Sequence, residues 1–296
     1  LPSGIITRGI GGFYYVKTES GVYECKARGI FRKEDITPLP GDRVVISIID
    51  EYAYKGSIDR ILPRESELIR PAVANVNQLA VVIAVKSPVP DFVLLDKLLV
   101  TARLKNINPL ILINKVDLDD GEEYKKILNT YSKTGIKLIL LSSKLDMGFD
   151  ILTEAMKDKI TVFAGQSGVG KSTILNRILK LSVMKTGEVS NKIERGRHTT
   201  RHAELIELES GGLVVDTPGF SSFELEGITC DDLGMYYPEF EEYLEGCRFS
   251  HCSHISEPCC AVKEAVEEGY IGEDRYLRYI ELYKVLKKQK DNKYRK

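Results

Sequence analysis

Gly165-Gln166-Ser167-Gly168-Val169-Gly170-Lys171-Ser172 fits the pattern G-x-x-x-x-G-K-S/T. In such a loop the glycines let the backbone wrap a phosphate, and successive N–H groups point inward as an anion nest. A helix opening at Thr173 would add the partial positive charge of its N-terminus. Lys171 would neutralise the β and γ phosphates, and the Ser172 hydroxyl would bind Mg²⁺. A chance glycine-rich turn is the bland alternative. The apolar run 160–164 before the loop and the helical pattern 173–180 after it argue against that. Asp216-Thr217-Pro218-Gly219 follows Leu213-Val214-Val215, so Asp216 falls at a strand end where it can reach Mg²⁺ through water. Gly219 can offer its N–H to the γ phosphate. Loss of that phosphate would release the segment, which makes it a switch.

The base is read elsewhere. Asn114-Lys115-Val116-Asp117 follows the apolar run 110–113. A carboxylate accepts both N1–H and N2–H₂ of guanine, which adenine does not supply, so Asp117 favours GTP. Asn114 can hold the purine N7 or brace the phosphate loop, and the Lys115 stem can stack on the ring. Ser142-Ser143-Lys144, after the next strand, can receive guanine O6, mainly through a backbone N–H. In ordinary GTPases the phosphate loop comes first and the base-reading loops last. Here the order is reversed, which is the sign of a circularly permuted GTPase. The cut falls after the Asp216–Gly219 segment and fuses that switch directly to the C-terminal region.

Residues 186–201 are polar and basic, with Lys192, Arg195, Arg197 and Arg201 against Glu188 and Glu194. They read as a mobile loop. A Thr in this position would bind Mg²⁺ and the γ phosphate. Thr199 and Thr200 are the candidates, with Thr200 preferred because it directly precedes Arg201-His202 and the next strand. A water-orienting Gln often follows the D-x-x-G segment, but this chain has Phe220. Phe cannot orient water by hydrogen bonding, so slow intrinsic hydrolysis is expected. His198 is the replacement, since a group titrating near neutrality can orient or deprotonate water. The alternative is an ordinary solvated loop His.

Cys247-x4-Cys252-x-His254-x5-Cys260 offers three thiolates and one imidazole, the donor set of a closed tetrahedral structural Zn²⁺ site. Cys259 and His251 are adjacent alternatives. Four protein ligands leave no open position for catalysis. Cys25 and Cys230 read as ordinary residues. Five of the six cysteines lie between positions 230 and 260, which suits a metal site in a reducing compartment rather than a disulfide framework.

Three segments with different grammar must position these groups. Residues 1–70 read as five short strands in a small barrel of the OB or SH3-like type, with runs at 11–16, 21–27, 44–48 and 58–62. Arg28, Arg32, Lys33 and Phe31 there could touch RNA, basic groups on phosphates and the aromatic on a base; a solvated loop is the alternative. Residues 63–71 read as a linker. Residues 71–225 alternate strand and helix, and the continuous apolar run 79–85 suits a strand buried on both faces of a parallel sheet. Asp91 can cap the helix that follows. Residues 226–296 read as mostly helical around the Cys/His cluster, acidic early and basic at the end. With 42 Lys and Arg against 43 Asp and Glu, the net charge of −1 excludes a globally basic nucleic-acid coat but not a local basic patch. No apolar run approaches the roughly 18 residues that cross a bilayer. The start Leu1-Pro2-Ser3-Gly4 lacks an initiator Met, so a trimmed start is expected, and it lacks the marks of a secretory signal. A cytoplasmic monomer without membrane contact is the expectation.

The fold class expected is multidomain α/β: an N-terminal OB-type β-barrel, a circularly permuted P-loop GTPase domain and a C-terminal helical zinc-binding domain. In this order the three units resemble the bacterial ribosome small-subunit-dependent GTPases, the RsgA or YjeQ family. The strings that carry the resemblance are 114–117, 165–172, Gly196-Arg197-His198-Thr199-Thr200, 216–219 and 247–260. The resemblance implies GTP hydrolysis to GDP, binding to the 30S subunit and its 16S rRNA late in assembly, an OB domain that contacts rRNA, and stimulation of hydrolysis by the subunit. It also implies that His198 is the hydrolysis residue. The competing readings are an RNA-binding module with a structural nucleotide pocket, and an ATPase.

Overall fold

The structure is a computed structural model that describes residues 1–33, 35–186, 203–216, 225 and 227–294. Five strands, β1 (Ser3–Ile10), β2 (Phe13–Thr18), β3 (Gly21–Ala27), β4 (Arg43–Asp50) and β5 (Lys55–Ile61), close a barrel in the order β1-β2-β3-β5-β4. β3 runs parallel to β5 and every other pair is antiparallel, the five-stranded arrangement of an OB-type barrel. Alternate residues fill its interior: Ile6, Val16, Tyr23, Cys25, Val44, Ile46 and Ile58. Cys25 is an ordinary core residue, its thiol pushed up to about 11 by burial.

Two expectations are corrected here. Phe31, on the short helix α1 (Ile30–Lys33), is 6% exposed and belongs to the barrel core, so it cannot stack on a base. Arg28 is paired with Asp59 at 2.8 Å. The segment expected as a linker, 63–71, supplies β6 (Glu67–Leu68), which pairs antiparallel with β7 (Val73–Ala74) just beyond it. Arg64 ties that ladder to the barrel through both carboxylate oxygens of the fully buried Asp42, at 2.8 and 2.9 Å.

A six-stranded sheet follows. Its strands are β8 (Gln78–Ala84), β9 (Asn108–Asn114), β10 (Lys137–Leu140), β11 (Ile160–Ala164), β12 (Glu204–Glu207) and β13 (Leu213–Asp216), in the order β10-β9-β8-β11-β13-β12. Only β12 is antiparallel to its neighbour. Every residue of β8 is buried, as its unbroken apolar run requires. Its side chains alternate between two cores. Leu79, Val81 and Ile83 pack with helices α2 (Phe92–Leu104) and α3 (Glu123–Ser132). Ala80, Val82 and Ala84 pack with α4 (Phe149–Met156) and α5 (Lys171–Thr186). Asp91 caps α2 as expected, accepting the Leu94 N–H at 2.8 Å.

The barrel rests on the edge of this sheet. Arg8 meets Glu204 at 3.4 Å and Lys17 pairs with Glu207, both acids on β12. An otherwise unpaired strand edge is thereby covered. The C-terminal region holds two 3₁₀ segments (Leu233–Tyr236 and Pro238–Gly246), then α6 (Ala261–Glu267) and α7 (Glu273–Tyr294). Their core includes Leu233, Tyr237, Phe240 and Tyr279 and takes in Val100 of α2. Cys230 is buried in it, an ordinary residue as expected. Among the described residues no helix is long and apolar enough to cross a membrane.

Candidate nucleotide site and metal centre

The phosphate loop leaves β11 and the Asn114–Asp117 segment leaves β9, with β8 paired between them. All three strands are parallel, so both loops emerge at the same, C-terminal edge of the sheet, where open α/β sheets bind ligands. The two segments touch. Asn114 is 3% exposed, and its Nδ2 donates to Val169 O at 2.8 Å. Gly170 makes the approach possible: it has φ +102°, and a Cβ there would stand 2.4 Å from Asn114 Nδ2. Gly165, at φ +137°, has no room either, since its Cβ would lie 2.2 Å from Val82 O. These glycines are there for space as much as for backbone angle.

Lys115 takes the left-handed conformation, with φ 61°, and stretches across the opening. Its Nζ donates to Gly168 O at 2.8 Å and also to Ser87 O. Ser142, fully buried after β10, donates from Oγ to Asp117 Oδ1 at 2.6 Å and accepts the Leu145 N–H at 3.1 Å. That bond fixes the rotation of the carboxylate assigned to guanine. Ser143 and Lys144 lie exposed on the same turn. Lys171 opens α5, and its Nζ donates to Gly165 O at 2.6 Å and Gln166 O at 2.8 Å. Burial lowers its pKa, because a cation taken out of water loses hydration that an anionic ligand could replace. Ser167, Ser172 and Thr173 are exposed at the mouth of the loop. Asp216 ends β13, the strand beside β11, and burial raises its carboxyl. His198, Thr199, Thr200, Gly219 and Phe220 lie outside the described residues.

The RsgA GTPase family matches residues 61–226, and the RsgA N-terminal domain family matches residues 3–56. This chain belongs to the RsgA family of GTPases. The small ribosomal subunit biogenesis GTPase RsgA of Ruminiclostridium cellulolyticum is 60% identical over 286 residues, which is 96% of this chain and 93% of the relative. The protein of the same name from Alkaliphilus metalliredigens is 47% identical over 290 residues, 98% and 99% of the two chains. The crystal structure of YloQ, a circularly permuted GTPase, superposes with a TM-score of 0.82 at 40% identity, covering 97% of this chain and 96% of that one. YjeQ from Thermotoga maritima superposes with a TM-score of 0.82 at 36% identity, covering 96% and 98%. The chain is a GTP hydrolase whose GTPase domain is circularly permuted, as its loop order implies.

A second constellation lies in the C-terminal region. One donor atom each from Cys247, Cys252, His254 and Cys260 falls within 4.8 Å of the others. Cys247 Sγ is 3.6 Å from His254 Nδ1 and 3.9 Å from Cys260 Sγ, and His254 Nδ1 is 3.4 Å from Cys260 Sγ. A tetrahedron with metal–ligand bonds of ~2.0–2.3 Å has edges of about 3.3–3.8 Å, so this set could hold a metal ion. Cys259 is exposed with φ 55°, and neither it nor His251 belongs to the cluster. Tyr276 donates to His254 O at 2.6 Å and Tyr279 to Ser253 O at 2.8 Å, so α7 positions the loop that carries the ring.

Proposed function

We propose that this GTPase works on the small ribosomal subunit, acting late in 30S assembly, and that contact with the subunit and its 16S rRNA stimulates its turnover. The reading is supported by what its relatives are, small ribosomal subunit biogenesis GTPases, and by one observation above all: the 2.8 Å bond from Asn114 Nδ2 to Val169 O, which joins the base-reading and phosphate-binding loops into one cradle. In this reading Asn114, Lys115 and Asp117 recognise the purine, with Ser142, Ser143 and Lys144 around O6. Residues 165–173, with Gly219, hold the phosphates, and Lys171 offsets charge that develops as the γ phosphate leaves. His198 orients the attacking water when the subunit is bound.

Ser172, Thr200 and Asp216 would hold Mg²⁺, which supplies electrostatic stabilisation to the phosphates. The donor chemistry fits, since a divalent cation beside Asp216 would hold ionised a carboxyl that burial otherwise raises. Cys247, Cys252, His254 and Cys260 would hold one structural Zn²⁺. We assign residues 1–70 to an rRNA-contacting barrel, 71–225 to the GTPase domain and 226–296 to the zinc domain, in a cytoplasmic monomer.

The deciding experiment is GTP turnover with and without purified 30S subunits. A rise of about tenfold or more is expected, well below what dedicated activating proteins achieve. An unchanged rate would leave an RNA-binding module with a structural nucleotide pocket as the better account. The metal has its own check. The purified protein should carry one zinc per chain by atomic absorption, and Cys252→Ser should lose it. A stoichiometry unaffected by that change would remove Cys252 from the site.

A further inference from the structure

The loop between β8 and α2 carries no sequence motif, yet it meets the base-reading turn at two points. We propose that Lys86 is a positioning residue for guanine recognition: through Asp119 it fixes the turn that carries Asp117. The proposal deepens the guanine-reading assignment above and rests on it.

The geometry divides the work of Asp119 between its two oxygens. Oδ2 accepts the backbone N–H groups of Glu123 at 3.0 Å, Tyr124 at 3.2 Å and Gly121 at 3.3 Å, and so caps the start of α3. Oδ1 faces Lys86 Nζ at 2.9 Å. The Asp119 side chain is 0% exposed, while that of Lys86 is 46% exposed. The Lys86 ammonium, with the capping N–H groups behind it, holds the Asp119 carboxyl down at about 2. Asp120 offers Lys86 only a distant second carboxylate, at 3.9 Å and well exposed.

Asp119 stands two residues after Asp117, and the chain between them is a single 3₁₀ turn. Leu118 N–H donates to Lys115 O at 3.0 Å and Asp119 N–H to Val116 O at 3.2 Å. A turn this short transmits displacement, because each of its residues is held by the next. On its far side Ser142 sets the Asp117 carboxylate; on its near side Asp119 anchors the backbone. Lys86 is what ties that anchor to the sheet. The next residue, Ser87, offers its carbonyl to Lys115 Nζ, which also reaches Gly168 of the phosphate loop. The β8–α2 loop therefore braces the base-reading turn at two points, one ionic and one through hydrogen bonds.

Without Lys86, the buried Oδ1 loses its counter-charge. A buried carboxylate in that state turns toward water or takes a proton. Either response loosens the cap of α3 and the turn ahead of it. The cost falls on recognition of the base and not on the phosphate chemistry, which is set by Lys171 on the other loop.

The test compares GTP and ITP, which lacks the 2-amino group, in KM, kcat and affinity for GDP. In Lys86→Met, KM for GTP should rise about tenfold, at the low end of what losing an outer partner costs a polar site, with kcat within about twofold of the parent. The preference for GTP over ITP should shrink. Lys86→Arg should restore both, since the guanidinium can still meet Oδ1. Asp119→Asn, which keeps a capping oxygen but drops the ion pair, should show the same shift, and the double variant no more than either single one. Circular dichroism melts identify a variant that has simply unfolded, and Lys86→Arg and Asp119→Asn then carry the comparison. Asp117→Asn is run beside them. If it fails to move preference toward xanthosine triphosphate, the guanine-reading assignment itself falls. If it does so while Lys86→Met and Asp119→Asn keep the parental KM and preference, the brace alone is overturned.

Discussion

Replacing Lys171 with alanine is expected to lower kcat for GTP by about 10²–10³-fold, the usual cost of removing one preorganised charge-stabilising donor. The ammonium already sits inside the loop, between the carbonyls of Gly165 and Gln166 at 2.6 and 2.8 Å. Nothing has to be assembled when a nucleotide arrives; the donors need only exchange carbonyl oxygens for phosphate oxygens. Burial lowers the pKa of this amine, which means the site disfavours the cation until an anion is present. An incoming triphosphate removes that penalty, so part of the interaction appears on binding, and KM should rise as well. The part that matters for rate is the charge on the departing γ phosphate, which is greatest in the transition state. Lys171→Arg should rescue little, because a planar five-donor fork does not fit a slot shaped for a single nitrogen between two carbonyls. Single-turnover measurements with saturating GTP separate the two effects. A variant that keeps the parental kcat would show that Lys171 does not act on the reacting phosphate.

The residues of that loop were legible from sequence because their physics is local. A glycine at φ +102° with no room for a Cβ, a lysine opening a helix and an apolar strand before it all fall within a dozen residues. The parallel core was legible for a similar reason: a strand buried on both faces has to be apolar throughout, as residues 78–84 are with one exception. What was missed is long-range or ambiguous in pattern. β1 carries no legible strand signal, since a bulge between Ile6 and Arg8 breaks the alternation on which a strand is read. Phe31 reads as a surface residue because it stands beside basic residues, and a single aromatic carries no periodicity that would reveal a barrel core behind it. The ladder at 67–74 has strands of two residues each, too short for any periodic signal. Lys86 and Asp119 look like ordinary loop charges, and no spacing connects them. The Asn114–Val169 bond spans 55 positions, so the motifs gave its two ends but only the fold could join them.

The same contrast between local pattern and long-range charge governs stability. Asp96→Ala should destabilise the protein by about 3–5 kcal/mol in urea unfolding, the scale for breaking a buried ion pair by removing one partner. Asp96 lies on α2 and is 0% exposed. Its Oδ1 receives Arg275 Nη1 at 2.5 Å and the Tyr131 hydroxyl at 2.7 Å, and its Oδ2 receives Arg278 Nε at 2.6 Å. Arg275 is 1% exposed, pairs also with Glu239, and stacks on the Tyr237 ring at 4.6 Å. Two guanidinium groups of α7 thus converge on one carboxylate of the GTPase domain, and its loss leaves Glu239 to face Arg275 alone. The geometry itself is not the source of the cost. Arg43 and Glu65 meet at 2.6 Å as well, but their side chains are 45% and 60% exposed. Glu65→Ala should therefore change stability by less than about 1 kcal/mol, since water and salt replace an exposed partner. The position of Asp96 also predicts the form of the transition. Because it joins α7 to α2, its removal should uncouple the C-terminal region from the sheet, giving two unfolding steps where the parent gives one. A loss below about 1 kcal/mol for Asp96→Ala, equal to that for Glu65→Ala, would mean that water reaches the two arginines and that burial is not what gives this contact its strength.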